Sequence, residues 1–205
     1  TSQENETLIE RISKNNTSKY DFGENFISIP IGRNGRNILN FELGSKADAY
    51  HCMIAGQNGT GKSTFLNAII TQIAQKYTPK EIRLHLLDYK EGVEFKIYKD
   101  HPNVETLLLD NSNIEFAIEI LENLEKEFVH RKQLFEKLGA TITNIEKYNK
   151  KADTKIPYHI IVIDEAQELF TQGYEFNKRI NKILTRVAKQ GRAFGIHLIL
   201  CTQTF

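Results

Sequence analysis

Residues 56–64 read GQNGTGKST, between the apolar run YHCMIA (residues 50–55) and residues 63–77, where Phe65, Leu66, Ile69, Ile70 and Ile73 recur at helical spacing. A strand, a glycine-rich turn and a helix in direct succession are the context in which G-x-x-x-x-G-K-[ST], the Walker A pattern, grips phosphate. Gly56, Gly59 and Gly61 let backbone N–H groups turn inward with no Cβ in the way. With Gln57, Asn58, Thr60 and Thr64 they make up the expected nucleotide-binding loop. The helix start offers unpaired N–H groups and the positive end of its dipole to an anion. Lys62 is long enough to reach β- and γ-phosphates, and Ser63 can place its hydroxyl on Mg²⁺. The alternative, a glycine turn with Lys62 in solvent, needs strand, loop and helix to fall in register by accident.

A second stretch agrees with the first. In IIVIDEAQEL (residues 160–169) four apolar residues carry Asp164 to the C-terminal edge of a sheet, where α/β folds place ligands. Asp164 is the expected metal carboxylate. Glu165 beside it can polarise the attacking water in phosphoryl transfer. The plainer reading, that both residues cap the next helix, does not explain why two motifs agree. A third stretch, LILCTQ, ends in Thr202 and Gln203 on a strand expected beside the other two. The Gln203 amide both donates and accepts, so it suits a γ-phosphate sensor better than Thr202; an ordinary polar strand end stays open. A catalytic glutamate, and strands EIRLHLLD and VETLLLD between loop and carboxylates in the chain, suggest the RecA-like and AAA+ branch of P-loop NTPases.

Outward from these motifs, strands and helices alternate, which predicts a central, mostly parallel α/β sheet flanked by helices. YHIIVID is nearly all apolar, as a strand covered on both faces requires. Helices are expected over residues 113–138, with Ile114, Ala117, Ile118, Leu121, Leu124, Phe128, Phe135 and Leu138 inward, and over 177–194. Residues 141–156 read as a polar connector. Ahead of the sheet, Asn34-Gly35 marks a β-hairpin with strands near 26–32 and 36–43. Residues 1–20 read as a polar lead-in, with 21–205 as one RecA-like ATPase domain. The stop just after a strand suggests a piece of a longer protein.

Composition sets outer limits. The 205 residues are 40% hydrophobic and 26% charged, typical of one globular domain. A net charge of +1 advertises no overall affinity for nucleic acid, which leaves any such contact to a local patch. No apolar run approaches the ~18 residues that cross a bilayer. Cys52 and Cys201 lie in apolar runs and read as buried hydrophobes of a reducing compartment, so a cytoplasmic segment is expected. His51, His85, His159 and His197 sit in or beside strands and read as core histidines; no metal-ligand spacing links them. Phe95, Tyr98 and Tyr148 read as packing residues.

At this point the chain resembles the motor domains of the FtsK/SpoIIIE family. The hairpin IGRNGRNILNFELG, HCMIAGQNGTGKSTFLNAII, LLDYKEGVEF, FVHRKQLFEKLGATITNIEKYNKK, IPYHIIVIDEAQELF and KQGRAFGIHLILCTQ match in family order, over roughly residues 29–203. Two departures stand out. Thr204-Phe205 replaces a common "R-P", and Glu165-Ala166-Gln167 replaces an "E-F-A"-like sequence, which suits a divergent member from a mobile element or secretion system. The resemblance implies a hexameric, homo-oligomeric ring that hydrolyses ATP with Mg²⁺ and pumps a polymer. Double-stranded DNA is the usual cargo, and secreted protein is the cargo of type VII secretion members. It also implies a longer protein that can be membrane-anchored. A non-hydrolytic module that binds ATP as an assembly signal is the third reading, against which Lys62, Ser63, Asp164 and Glu165 all stand intact. In such rings a neighbour supplies a cation to the γ-phosphate. Arg192, in GRAFG, is a candidate for that contact. Lys90 and Glu94 match a family segment near the site and are candidate interface or coupling residues. Arg192 also belongs to a stripe with Lys178, Arg179, Lys182, Arg186 and Lys189, which reads either as a face toward neighbour or polymer, or as a solvated helix face.

Overall fold

The computed structural model describes residues 25–89, 94–109 and 114–203. The lead-in expected over residues 1–20, Lys90, and the start of the helix expected from residue 113 lie outside them. Strands β1 (Asn25–Asn34) and β2 (Asn37–Gly44) form the antiparallel hairpin, with Asn34 opposite Asn37. The turn therefore shifts by one residue from the Asn-Gly reading. Gly35 takes the first central position with φ 61, and Arg36 the second. A glycine alone at positive φ in that place is the type II′ solution, equally compatible with strand twist. The ladder slips between Pro30 and Gly32, where proline has no N–H to give.

The five-stranded sheet holds β3 (Cys52–Ala55), β4 (Ile82–Asp88), β5 (Val104–Leu108), β6 (Tyr158–Asp164) and β7 (Ile196–Thr202) in the order β3-β7-β6-β4-β5, every pairing parallel. Helix α1 (Lys62–Lys76) covers one face. Helices α2 (Ile114–Leu138) and α4 (Tyr174–Phe194) cover the other, and the short α3 (Ile145–Lys151) follows α2. The two-residue period of β6 divides its apolar run between two cores. Ile160 and Val162 pack with Leu66, Ile69, Ile70 and Ile73 of α1; Ile161 and Ile163 pack with Leu121, Leu124 and Phe128 of α2 and Val187 of α4. No helix among the described residues is long and apolar enough to cross a membrane.

The hairpin closes the N-terminal edge of the sheet. Phe26 stacks on Tyr158 at 4.7 Å and on His197 at 4.1 Å, and the Ser28 N–H donates to the Tyr77 hydroxyl at 3.0 Å. The polar connector expected over 141–156 is instead built. Asn144 caps α3 by accepting from the Lys147 N–H at 2.9 Å, and Asn149 exchanges two hydrogen bonds with the Ile156 backbone. Its polarity hid the order, because Ile142, Ile145 and Tyr148 are its only large buried apolar residues. Arg131 of α2 is fully buried. Its guanidinium donates to Glu127 at 2.7 Å and to the Phe194 and Gly195 carbonyls at 2.6 and 3.3 Å, satisfying the end of α4. Gly191 lets α4 approach β7: a Cβ there would lie 2.0 Å from the Ile196 carbonyl oxygen.

Candidate active site

Parallel pairing brings the ends of four strands to one edge. Ala55 is in register with Thr202 and Asp88 with Asp164, while β7 lies between β3 and β6. The Gly56 N–H donates to the Thr202 carbonyl at 3.2 Å, so the loop leaves β3 still tied to β7. Gly59 and Gly61 adopt φ 78 and 90, and a Cβ on Gly56 would meet Thr60 Oγ1 at 2.8 Å. The loop is cross-braced on Gln57, whose carbonyl accepts from Thr60 Oγ1 at 2.7 Å and Lys62 Nζ at 3.2 Å. Lys62 thus lies across the loop rather than out in solvent. Helix α1 has no acidic residue in its first turn, so its unpaired N–H groups face the loop with their positive potential undiminished.

Asp164 is buried. Its Oδ1 accepts from the Glu165 N–H at 2.9 Å, while Oδ2 is buried with no hydrogen-bond partner among the described residues. Burial raises its pKa first, with the negative charges of Glu165 and Asp88 adding; the Cys201 thiol and the Glu165 N–H work against this. Burial and the adjacent carboxylate push Cys201 up to about 12, so it stays a thiol. A buried carboxylate oxygen without a donor, next to a second buried carboxylate, suits a cation. Hard oxygen donors from Ser63 and Asp164 fit Mg²⁺.

Glu165 takes a left-handed backbone, φ 51 and ψ 50, rare for a residue with a side chain. Gln203 Nε2 donates to its Oε1 at 2.5 Å and Gln167 Nε2 to its Oε2 at 2.6 Å. The expected base and the expected sensor are therefore in direct contact. Glu94, sixth after Asp88, donates its N–H to Asp88 Oδ2 at 3.2 Å and accepts from Asn67 of α1 at 3.1 Å. Tyr98 adds a hydroxyl on Asn67 and Thr71, so this arm grips the helix that carries the phosphate loop. Asp88, Asn67 and Gln167 escaped the sequence reading. Only Asp88 left a signal, as a carboxylate ending an apolar strand just as Asp164 does.

Arg192 lies elsewhere. Its guanidinium covers the Tyr50 ring at 4.4 Å, near the start of β3, the end opposite the loop. The basic stripe on α4 divides. Arg179 pairs with Glu122 of α2, and Arg186 pairs with Glu125 at 3.5 Å over the Phe128 ring. Lys178, Lys182 and Lys189 are exposed.

The model of the FtsK/SpoIIIE family matches residues 9–205. The chain belongs to that family. Among curated relatives, it is 31% identical over 182 residues to the ESX secretion system protein EccC of Geobacillus thermodenitrificans, spanning 86% of this chain and 12% of that protein. It is likewise 31% identical over 190 residues to the DNA translocase FtsK of Streptococcus pyogenes, spanning 88% of this chain and 22% of the relative. The chain thus spans well under a third of the relatives it matches. Two solved structures share the fold. The cytoplasmic domain of the Thermomonospora curvata type VII secretion ATPase EccC has a TM-score of 0.77 at 21% identity, covering 95% of this chain and 23% of that one. The pCW3 conjugation coupling protein TcpA, in a form with ATPγS, has a TM-score of 0.68 at 25% identity, covering 92% and 51%. The β3-β7-β6-β4-β5 order and the loop between β3 and α1 make this a RecA-like P-loop ATPase fold.

Proposed function

We propose that this domain binds ATP with Mg²⁺ and hydrolyses it to drive double-stranded DNA through a homo-oligomeric, hexameric ring. The observation that carries the reading is the meeting of Asp164, Glu165 and Gln203 at the sheet edge beside the phosphate loop. The loop N–H groups and Lys62 hold the β- and γ-phosphates, and Ser63 and Asp164 hold the metal. Bound there, Mg²⁺ offsets charge on the phosphate oxygens. Glu165 takes a proton from the water whose oxygen attacks the γ-phosphorus. The bond to the β–γ bridging oxygen breaks, leaving ADP and inorganic phosphate. Gln203 reports the γ-phosphate through its contact with Glu165. Glu94 is a coupling residue, supported by its bond to Asn67 on α1. Lys90 belongs to the same segment and is assigned to the interface. Arg192 sits at the far end of the sheet from its own loop, so any nucleotide it touches belongs to a neighbouring subunit. The reading places the domain in the cytoplasm, where ATP is.

A secreted polypeptide is the second cargo reading, favoured by a 31% identity to EccC equal to that with FtsK. The test is ATPase activity of the full-length oligomer with and without linear duplex DNA. DNA should stimulate turnover, and Glu165→Gln should lower kcat about 100-fold or more. Wild-type turnover by Glu165→Gln sinks the base assignment. Turnover indifferent to DNA moves the cargo to polypeptide.

A further inference from the structure

We propose that Gln167 is a positioning residue that ties the base Glu165 to the end of β7; the role rests on reading Glu165 as the base. Four residues form a closed hydrogen-bond circuit, one link of it through the Gln203 backbone N–H. Gln167 Nε2 donates to Glu165 Oε2 at 2.6 Å, and Gln167 Oε1 accepts from Thr202 Oγ1 at 2.8 Å and from the Gln203 N–H at 3.4 Å. Gln203 Nε2 closes the circuit on Glu165 Oε1 at 2.5 Å. One planar amide supplies both a donor for the carboxylate and an acceptor for the strand end, which neither a carboxylate nor an aliphatic group can do.

The need for such a tie follows from the backbone. Glu165 stands in a left-handed conformation between strand and 3₁₀ turn, so neither element's regular side-chain direction aims it. Ala166 and Leu169 anchor that turn in the core and leave Gln167 half-buried at the site. Two amide donors, one on each oxygen, set the direction in which the remaining lone pairs of the carboxylate point. Any shift of Gln203 toward a γ-phosphate reaches both oxygens of Glu165, directly on Oε1 and through Gln167 on Oε2.

The test is the split between kcat and KM for ATP in the full-length oligomer, with Glu165→Gln as control. Gln167→Leu removes one charge-assisted donor and should lower kcat about tenfold while leaving KM for ATP within about twofold. Added to Glu165→Gln, Gln167→Leu should change kcat by less than about twofold, because the group it positions is already gone. A kcat within about twofold of wild type for Gln167→Leu, or a tenfold fall that persists in the Glu165→Gln background, overturns the proposal, even if both variants melt earlier. Wild-type turnover by Glu165→Gln overturns the base reading itself, a separate failure.

Discussion

Arg131→Met should destabilise the domain by about 3–5 kcal/mol, the range for breaking a buried charge network from one side. Methionine keeps the stem and most of the volume, so packing changes little. What is lost is the donor set: the Phe194 and Gly195 carbonyls lose their guanidinium at 2.6 and 3.3 Å, and Glu127 loses its partner at 2.7 Å. Each stranded buried acceptor costs about 1–3 kcal/mol. Glu127 remains 27% exposed, so water recovers part of its loss. For a domain of this size the melting temperature should fall by roughly 6–20 °C. Urea unfolding followed by circular dichroism gives the free energy, and a thermal melt gives the shift. Arg131→Lys should restore less than half, because one ammonium cannot span two carbonyls and a carboxylate. A stability for Arg131→Met within about 1 kcal/mol of wild type would refute the reasoning, since the end of α4 would then not depend on this donor.

Three further outcomes are expected. Burial, with the Arg131 and Arg83 charges behind it, holds His85 down to about 4, and His159 and His197 are also held well below their ordinary value. These folded-state values lie below the unfolded one of about 6.5, so their stability is present above it and lost as pH falls toward 4. For His85 alone that is about 3 kcal/mol, and a melting temperature constant from pH 7 to 4.5 would contradict it. Gly191→Ala forces a methyl to within 2.0 Å of a backbone oxygen. It should cost about 2–4 kcal/mol in urea unfolding despite alanine's helix preference, and a neutral result would mean α4 can slide off β7. Lys62→Ala should weaken binding of a fluorescent ATP analogue about 100-fold; unchanged affinity would remove Lys62 from the phosphate grip.

Much of this was legible because its cause is local. The Gly56–Lys62 spacing specifies a turn that only glycines at positive φ can make, and the structure makes it with Gly59 and Gly61. The IIVI run of β6 announces a strand covered on both sides, which is where it lies. The connector of residues 141–156 was misread for an equally physical reason. Its order rests on Asn144 and Asn149, whose side chains bond backbone, and polar residues look alike in a sequence whether they cap a helix or face water. The hairpin turn moved by one residue because Gly35 satisfies either of two mirror-image turns.

By itself the sequence determined which residues could hold phosphate and metal, because loop chemistry and strand endings are written in consecutive residues. It also carried the family. Which groups meet at the site was decided by tertiary structure alone. Gln203 and Glu165 lie 38 positions apart and touch only because β7 enters the sheet beside β6. Gln167 joins them because a left-handed residue turns the chain back toward that strand. Two of the six residues of the basic stripe on α4 were spent on α2, since helices packed on one face of a sheet must share their rims. Short-range patterning selects the side chains, and the order of the strands decides which of them become neighbours.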